Sequence, residues 1–283
     1  MTTLSFDVLA HGFGLIEGPR YHQGALFFSD VTRGGVYRLD GSGQVETVIP
    51  KRRGVGGIAI HADGGLVVSG RNICHVRDGV STTVFELPDV GGFNDLYTDA
   101  AGRLYVGSLR SDPFGSAASR VPGELYRLEL DGSSECLYGD IGLTNGIGFS
   151  PDGGRLYHSD SAKKAIVLHD VDGEGRVHNR RELARLEMGL PDGLAVDRAG
   201  DVWVATYDGG GVDRFDAEGA LVERYEVPSR AVTSLCFGGD DLRDLYVVTA
   251  DHTDASLEGC VLRTRVSVPG LAAPLARVAI SPS

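Results

Sequence analysis

The sequence is short of several things, and each shortage closes off a class of function. Basic residues number 27 against 39 acidic ones, a formal net charge of −12. A surface of that sign repels phosphate backbones, which argues against a nucleic-acid partner. No apolar run approaches the length of a membrane span, so no membrane role is expected. The opening MTTLSFDVLAHGFGL has neither the basic start nor the long apolar stretch of a signal peptide. The only cysteines are Cys74, Cys136, Cys236 and Cys260, far apart and without a C-x-x-C pair. They read as free, mostly buried thiols of a reducing compartment, hence a cytoplasmic protein. G-x-S-x-G, H-E-x-x-H and P-loop signatures are missing, which removes the obvious serine hydrolase, zinc peptidase and nucleotide-binding readings. A 3.6-residue apolar period is also missing, which removes helical repeats.

What is abundant is glycine, 41 residues in 283, scattered between short apolar runs. Six segments share one pattern: EGPRYHQGALFFSD from Glu17, GGIAIHADGGLVVSG from Gly56, NDLYTDAAGRLYVGS from Asn94, NGIGFSPDGGRLYHSD from Asn145, DGLAVDRAGDVWVAT from Asp192 and SLCFGGDDLRDLYVVT from Ser234. Each is a short apolar strand, a turn rich in Asp and Gly, and a second strand of alternating apolar residues. Such turns close hairpins because Gly, Asp and Asn tolerate positive φ. Most repeats continue into a second hairpin, as in GGVYRLDGSGQVETVI after Asp30. A period of about 40–50 residues with roughly four strands per unit is the signature of a propeller blade. The expectation is an all-β, six-bladed β-propeller occupying residues 1–283 as a single domain. The N-terminal TLSFDVLA should close the ring on the last blade, beside LRTRVSV and LARVAI, since an open ring leaves two unpaired sheet edges.

In a propeller the first strand of every blade lines the central channel, so equivalent repeat positions form a ring around the axis. That position holds Glu17, Gly56, Asn94, Asn145, Asp192 and Ser234. Asn-Gly and Asp-Gly are ordinary turn formers, and any one of these residues alone would read as structural. Turn chemistry would repeat the same residue types in every blade, whereas Gly56 and Ser234 break the series. Two carboxylates and two amide carbonyls at equivalent positions instead make a hard-cation site of charge −2, suited to Ca²⁺, Mn²⁺ or Mg²⁺, with Zn²⁺ or Fe²⁺ also compatible.

Over nearly its whole length the chain resembles the regucalcin (senescence marker protein) and gluconolactonase family. The segments that carry the resemblance are EGPRYHQGALFFSDVTRGGVYRLD, FNDLYTDAAGRLYVGSL, LTNGIGFSPDGGRLYHSDS, LPDGLAVDRAGDVWVATY and VTSLCFGGDDLRDLYVVTA. The resemblance implies one divalent ion, Ca²⁺ first, held by Glu17, Asn145 and Asp192, with Asn94 near the ion and its bound water or substrate. It implies hydrolysis of a small lactone, with Asp192 serving also as general base. Two family anchors for sugar hydroxyls are missing. The Arg of the family's R-F-N is Gly92 here, and GSAASRVPGELY has no acidic residue before Glu124 where the family's lid carries a Glu. A less polar or differently shaped lactone is therefore expected.

Asn72, Tyr207 and His252 follow second strands, where side chains tend to face the cavity, and are expected substrate contacts, with Arg71 and Asp208 beside them. Loop 110–123 interrupts the third repeat and could cover the substrate with Phe114. His158 and Trp203 read as core. A non-catalytic, ion-stabilised binding propeller and a phosphotriesterase-type hydrolase are the competing readings.

Overall fold

The computed structural model describes residues 4–116, 120–250 and 258–280. Among them there is no helix, and twenty-four strands form six four-stranded antiparallel sheets. The innermost strands are Ile16–His22, Ile58–Ile60, Gly92–Thr98, Thr144–Phe149, Leu190–Val196 and Val232–Gly238. Each touches the innermost strand of the next blade, and the sixth touches the first, so the ring is closed as the repeat predicts. Closure is made by Asp7–Phe13, which pairs antiparallel with Gly259–Arg265 as the outer strand of the sixth blade.

Aspartates tie the turns. Asp197 Oδ1 accepts from the N–H groups of Ala199 and Asp201, while its Oδ2 accepts from Trp203 Nε1 at 2.9 Å. Asp99 does the same for Ala101 and Arg103. These carboxylates replace the backbone partners that a tight turn leaves unmade. Apolar residues gather into six clusters, one between each neighbouring pair of blades. Trp203, 1% exposed, stacks on Tyr225 and meets Phe237 of the next blade edge-on, a core residue as expected.

One expectation is corrected. LARVAI (275–280) does not join the last blade, whose outer edge is already occupied by Asp7–Phe13. Instead the C-terminal segment crosses the far end of the channel, pairing with the turns that follow the innermost strands. Leu271 N–H donates to Val196 O, Ala276 N–H to Ile60 O and Arg277 N–H to Gly102 O. Burial of Ala276 and Val278 between the second and third blades fixes this course. Asn145-Gly146 and Asp192-Gly193 lie within innermost strands, as their place in the repeat predicts. A Cβ at Gly146 would fall 2.3 Å from Leu194 N, so the glycine serves close approach of neighbouring strands around a narrow axis.

Candidate metal centre and ligand cavity

A cavity of about 350 Å³ opens at the end of the channel where the innermost strands begin. Glu17, Asn94, Asn145, Asp192 and Tyr207 all line it. The ring read from the repeat is thus gathered at one place, from blades one, three, four and five.

The interruption at Gly56 has a steric reason. A Cβ at Gly56 would lie 2.2 Å from Asn94 Oδ1, so the second blade gives up a side chain to make room for the third blade's amide. Ser234 packs against Gly193 so closely that a Cβ on the glycine would lie 2.0 Å from its Oγ.

The amides are oriented by a hydrogen-bond chain. Ser161 Oγ donates to Pro191 O at 2.6 Å, so it accepts from Asn145 Nδ2 at 2.8 Å. That leaves Asn145 Oδ1 facing away from Ser161, where it accepts from Asn94 Nδ2 at 2.6 Å with a second lone pair unused. Asn94 Nδ2 also donates to Thr144 O at 2.8 Å.

The carboxylates are in electrostatic debt. Glu17 and Asp192 are 8% and 6% exposed. Burial holds the Glu17 carboxyl well above its ordinary range, and Asp192 and Asp95 push it further, while the Gly18 N–H and Arg20 offset part of this. Asp192 is raised by the same causes, burial first and then Asp95, against the Gly193 N–H. Asp95 is itself pushed up to about 6 by burial, partly offset by Arg20. The Arg20 guanidinium lies 3.5 Å from Asp95 Oδ1 and donates to Leu96 O. Three buried carboxylates against one guanidinium leave two charges to be matched, those of a divalent cation. Asp192 Oδ1 is buried with no hydrogen-bond partner among the described residues. Such an atom is costly unless something else coordinates it. The residues therefore fit an ion. Among the described residues no three His, Cys, Asp or Glu converge, because the donors are mixed carboxylate and amide, a hard-cation set.

Other expected contacts divide. Tyr207 lines the cavity, its hydroxyl pKa raised by burial and then by Asp208, Asp192 and Glu17. Asn72 does not line it. Its side chain accepts from Arg52 Nη2 at 3.0 Å and donates to Thr83 Oγ1 at 3.1 Å, both within the frame of the blade. Arg71 is turned to Val90 O. His252 lies outside the described residues. His158 is fully buried between Tyr138 and Thr144, a core residue as expected. Of loop 110–123, Pro113, Phe114 and Arg120 reach the cavity, although Phe114 is 67% exposed. Glu124 is held away from it by Ser108 Oγ and Arg110. Sequence reasoning missed Arg20 and Asp95, visible only as neighbours of Glu17 and Asn94 in E-G-P-R and F-N-D, and missed Ser161 and Arg120, which carry no motif.

The missing sugar anchor is built into the backbone. A Cβ at Gly92 would fall 2.7 Å from Gly70 O, and Phe93 N–H donates to that same oxygen at 2.7 Å. The third blade has closed on the second where a side chain would otherwise begin.

A closed six-bladed propeller with carboxylates and amides converging at one mouth of its channel is the architecture of a small-molecule site on a rigid β scaffold. Residues 15–251 match the model of the SMP-30/gluconolactonase/LRE-like region, and the chain belongs to that family. It is 34% identical to a 6-deoxy-6-sulfogluconolactonase of Pseudomonas putida, over 88% of this chain and 90% of that one. A pentonolactonase of Haloferax volcanii is 32% identical, over 90% and 91%. Among solved structures, a calcium-binding protein, regucalcin, of Agrobacterium tumefaciens superposes with a TM-score of 0.86 at 25% identity, covering 98% of both chains.

Proposed function

We propose that this protein is a metal-dependent lactonase that opens the ring of a small sugar-acid lactone. The single observation that carries the reading is the buried Oδ1 of Asp192, without a hydrogen-bond partner among the described residues, in a cavity whose buried carboxylates lack two positive charges. Glu17, Asn145 and Asp192 would hold the ion, with Asn94 beside it; Ca²⁺ is the first choice, on the all-oxygen donor set and the calcium-binding relative. When bound, the ion supplies Lewis-acid polarisation of the lactone carbonyl.

The chain's own residues do the rest. Asp192 takes a proton from the attacking water as its oxygen bonds to the carbonyl carbon. The ring C–O bond then breaks, and the proton passes to the departing alkoxide, giving a hydroxy acid. Asn94 and Asn145 fix geometry without adding charge. Leu15, Val31, Leu109, Leu143 and Leu190 form apolar walls that exclude water and seat the ring. The Pseudomonas putida relative is named for a lactone of this size, and the fixed, closed Gly92 turn supports a substrate other than the plain sugar lactone. An open cavity beside the donors favours this over an enclosed structural ion, which needs no cavity. Four unpaired thiols, three of them buried, suit a cytoplasmic setting.

The test is product identification. Incubation with a panel of lactones, followed by proton release and NMR of the product, should yield one hydroxy acid per acid equivalent. Tight ion binding without acid production from any lactone would transfer the chain to the non-catalytic reading.

A further inference from the structure

We propose that Arg120 is the specificity determinant of this site, and that it binds an anionic oxyacid group, sulfonate, phosphate or carboxylate, carried by the lactone away from its carbonyl. The inference rests on the lactonase reading for where the carbonyl lies.

The cavity's described lining contains one basic residue, Arg120, which enters from the loop after the third blade's second strand. Three other arginines near this mouth are committed. Arg52 is bound to Asn72 and Ser69 O, Arg71 to Val90 O, and Arg110 to Glu124. Arg120 is not committed in this way. Its Nη2 donates to Pro113 O at 3.3 Å, and its Nε is buried with no hydrogen-bond partner among the described residues. No carboxylate pairs with it among those residues. A guanidinium offers five N–H donors in a fixed fork, and leaving a buried one unmatched is unfavourable, so the arrangement is poised for a ligand with paired oxygens.

Charge gives the same answer. If a divalent ion matches the net charge of Glu17, Asp192, Asp95 and Arg20, the guanidinium of Arg120 is the charge left unmatched among the described lining residues. Leu109, Leu143 and Leu190 contribute apolar lining to the same cavity. The missing hydroxyl anchors and this guanidinium fit one reading, recognition of a charged terminus in place of the polyol. Arg suits this where Lys does not, because its fork matches two oxygens at once.

The experiment compares one ring in three forms: glucono-1,5-lactone, and the same lactone with its terminal hydroxyl replaced by sulfonate or converted to phosphate. Wild type, Arg120→Gln and Arg120→Lys are used, all metal-loaded and checked for equal thermal stability. Wild type should prefer an anionic lactone by about tenfold to hundredfold in kcat/KM. Arg120→Gln should lose that preference through KM with kcat kept, Arg120→Lys should keep part of it, and the neutral lactone should change by less than about twofold. The better of sulfonate and phosphate names the group. Equal losses on neutral and anionic rings, or no loss on either, would overturn the proposal. Calorimetric binding of the ring-opened acids decides the same point without turnover. Tighter binding of the anionic acid, abolished in Arg120→Gln, supports Arg120 even if no lactone is hydrolysed, and equal binding counts against it.

Discussion

Asn94 of the third blade donates its side-chain amide to the side-chain carbonyl of Asn145 of the fourth at 2.6 Å. Neither amide is free to turn. Asn145 is fixed by Ser161, and Ser161 by Pro191 O. Removing the anchor, Ser161→Ala, leaves Asn145 Nδ2 without its acceptor and lets the amide reverse. Groups that orient ligands typically carry about tenfold to hundredfold in ion affinity. Calorimetric titration of the stripped variant should show a loss in that range, with a circular dichroism spectrum matching wild type.

Gly56 should not tolerate a methyl group. A Cβ there meets Asn94 Oδ1 at 2.2 Å and the Asn94 backbone carbon at 3.0 Å, so the amide must move. Gly56→Ala is expected to cut kcat by tenfold or more while costing about 1–3 kcal/mol in stability. Gly92→Arg should likewise fail to create a plain sugar lactonase, because its Cβ would fall 2.7 Å from Gly70 O. Steady-state kinetics on gluconolactone, with thermal unfolding alongside, check both.

Neutralising a buried carboxylate should separate stability from function. In metal-free protein Asp192→Asn removes an uncompensated charge and is expected to raise stability by about 1–3 kcal/mol. The same change should abolish turnover, and Glu17→Gln should mainly weaken ion binding. Denaturant unfolding of stripped and metal-loaded forms reads the crossover: the ion should stabilise wild type and leave Asp192→Asn nearly unaffected.

Acid should act through the fourth blade. Burial lowers His158 from 6.5 to about 3, and His169, stacked on Tyr138 at 4.1 Å, to about 4. Both stay neutral in the folded chain while their unfolded counterparts gain protons below 6.5. The unfolded state then binds more protons, so stability falls as pH drops from the unfolded value toward the folded ones. For His158 the total is on the order of a few kcal/mol. Neither ring nitrogen of His169 has a partner among the described residues, so His169→Phe should flatten part of the slope. His158→Phe should instead destabilise at all pH values, because Tyr138 and Thr144 lose their shared partner. Denaturant midpoints from pH 4 to 8 measure all three.

How much was legible in the sequence follows from what repeats. Blade number, closure by the N-terminal strand and the ring of Glu17, Asn94, Asn145 and Asp192 were readable because a propeller places equivalent positions at equal radius. Gly56 looked like a lapse in the series and proves to be clearance for Asn94, a relationship between blades that alignment of repeats does not carry. The place of Asn72 after its strand points to the cavity, but Arg52 captures its side chain. LARVAI has the alternation of a strand, and only the prior occupation of the sixth blade's edge sends it across the channel floor. Arg120 lies in a segment with no period, where composition alone says nothing about direction.

The central claim is that Asp192 works on a lactone beside a divalent ion. Its most direct test is the hydrolysis rate of chelator-stripped protein with Ca²⁺, Mn²⁺, Zn²⁺, Mg²⁺ and Fe²⁺ restored singly, in wild type and in Asp192→Asn. The account predicts no turnover when stripped, recovery with at least one ion, and none in the variant under any ion. Undiminished hydrolysis by stripped protein, or near-normal rates in Asp192→Asn, would contradict it.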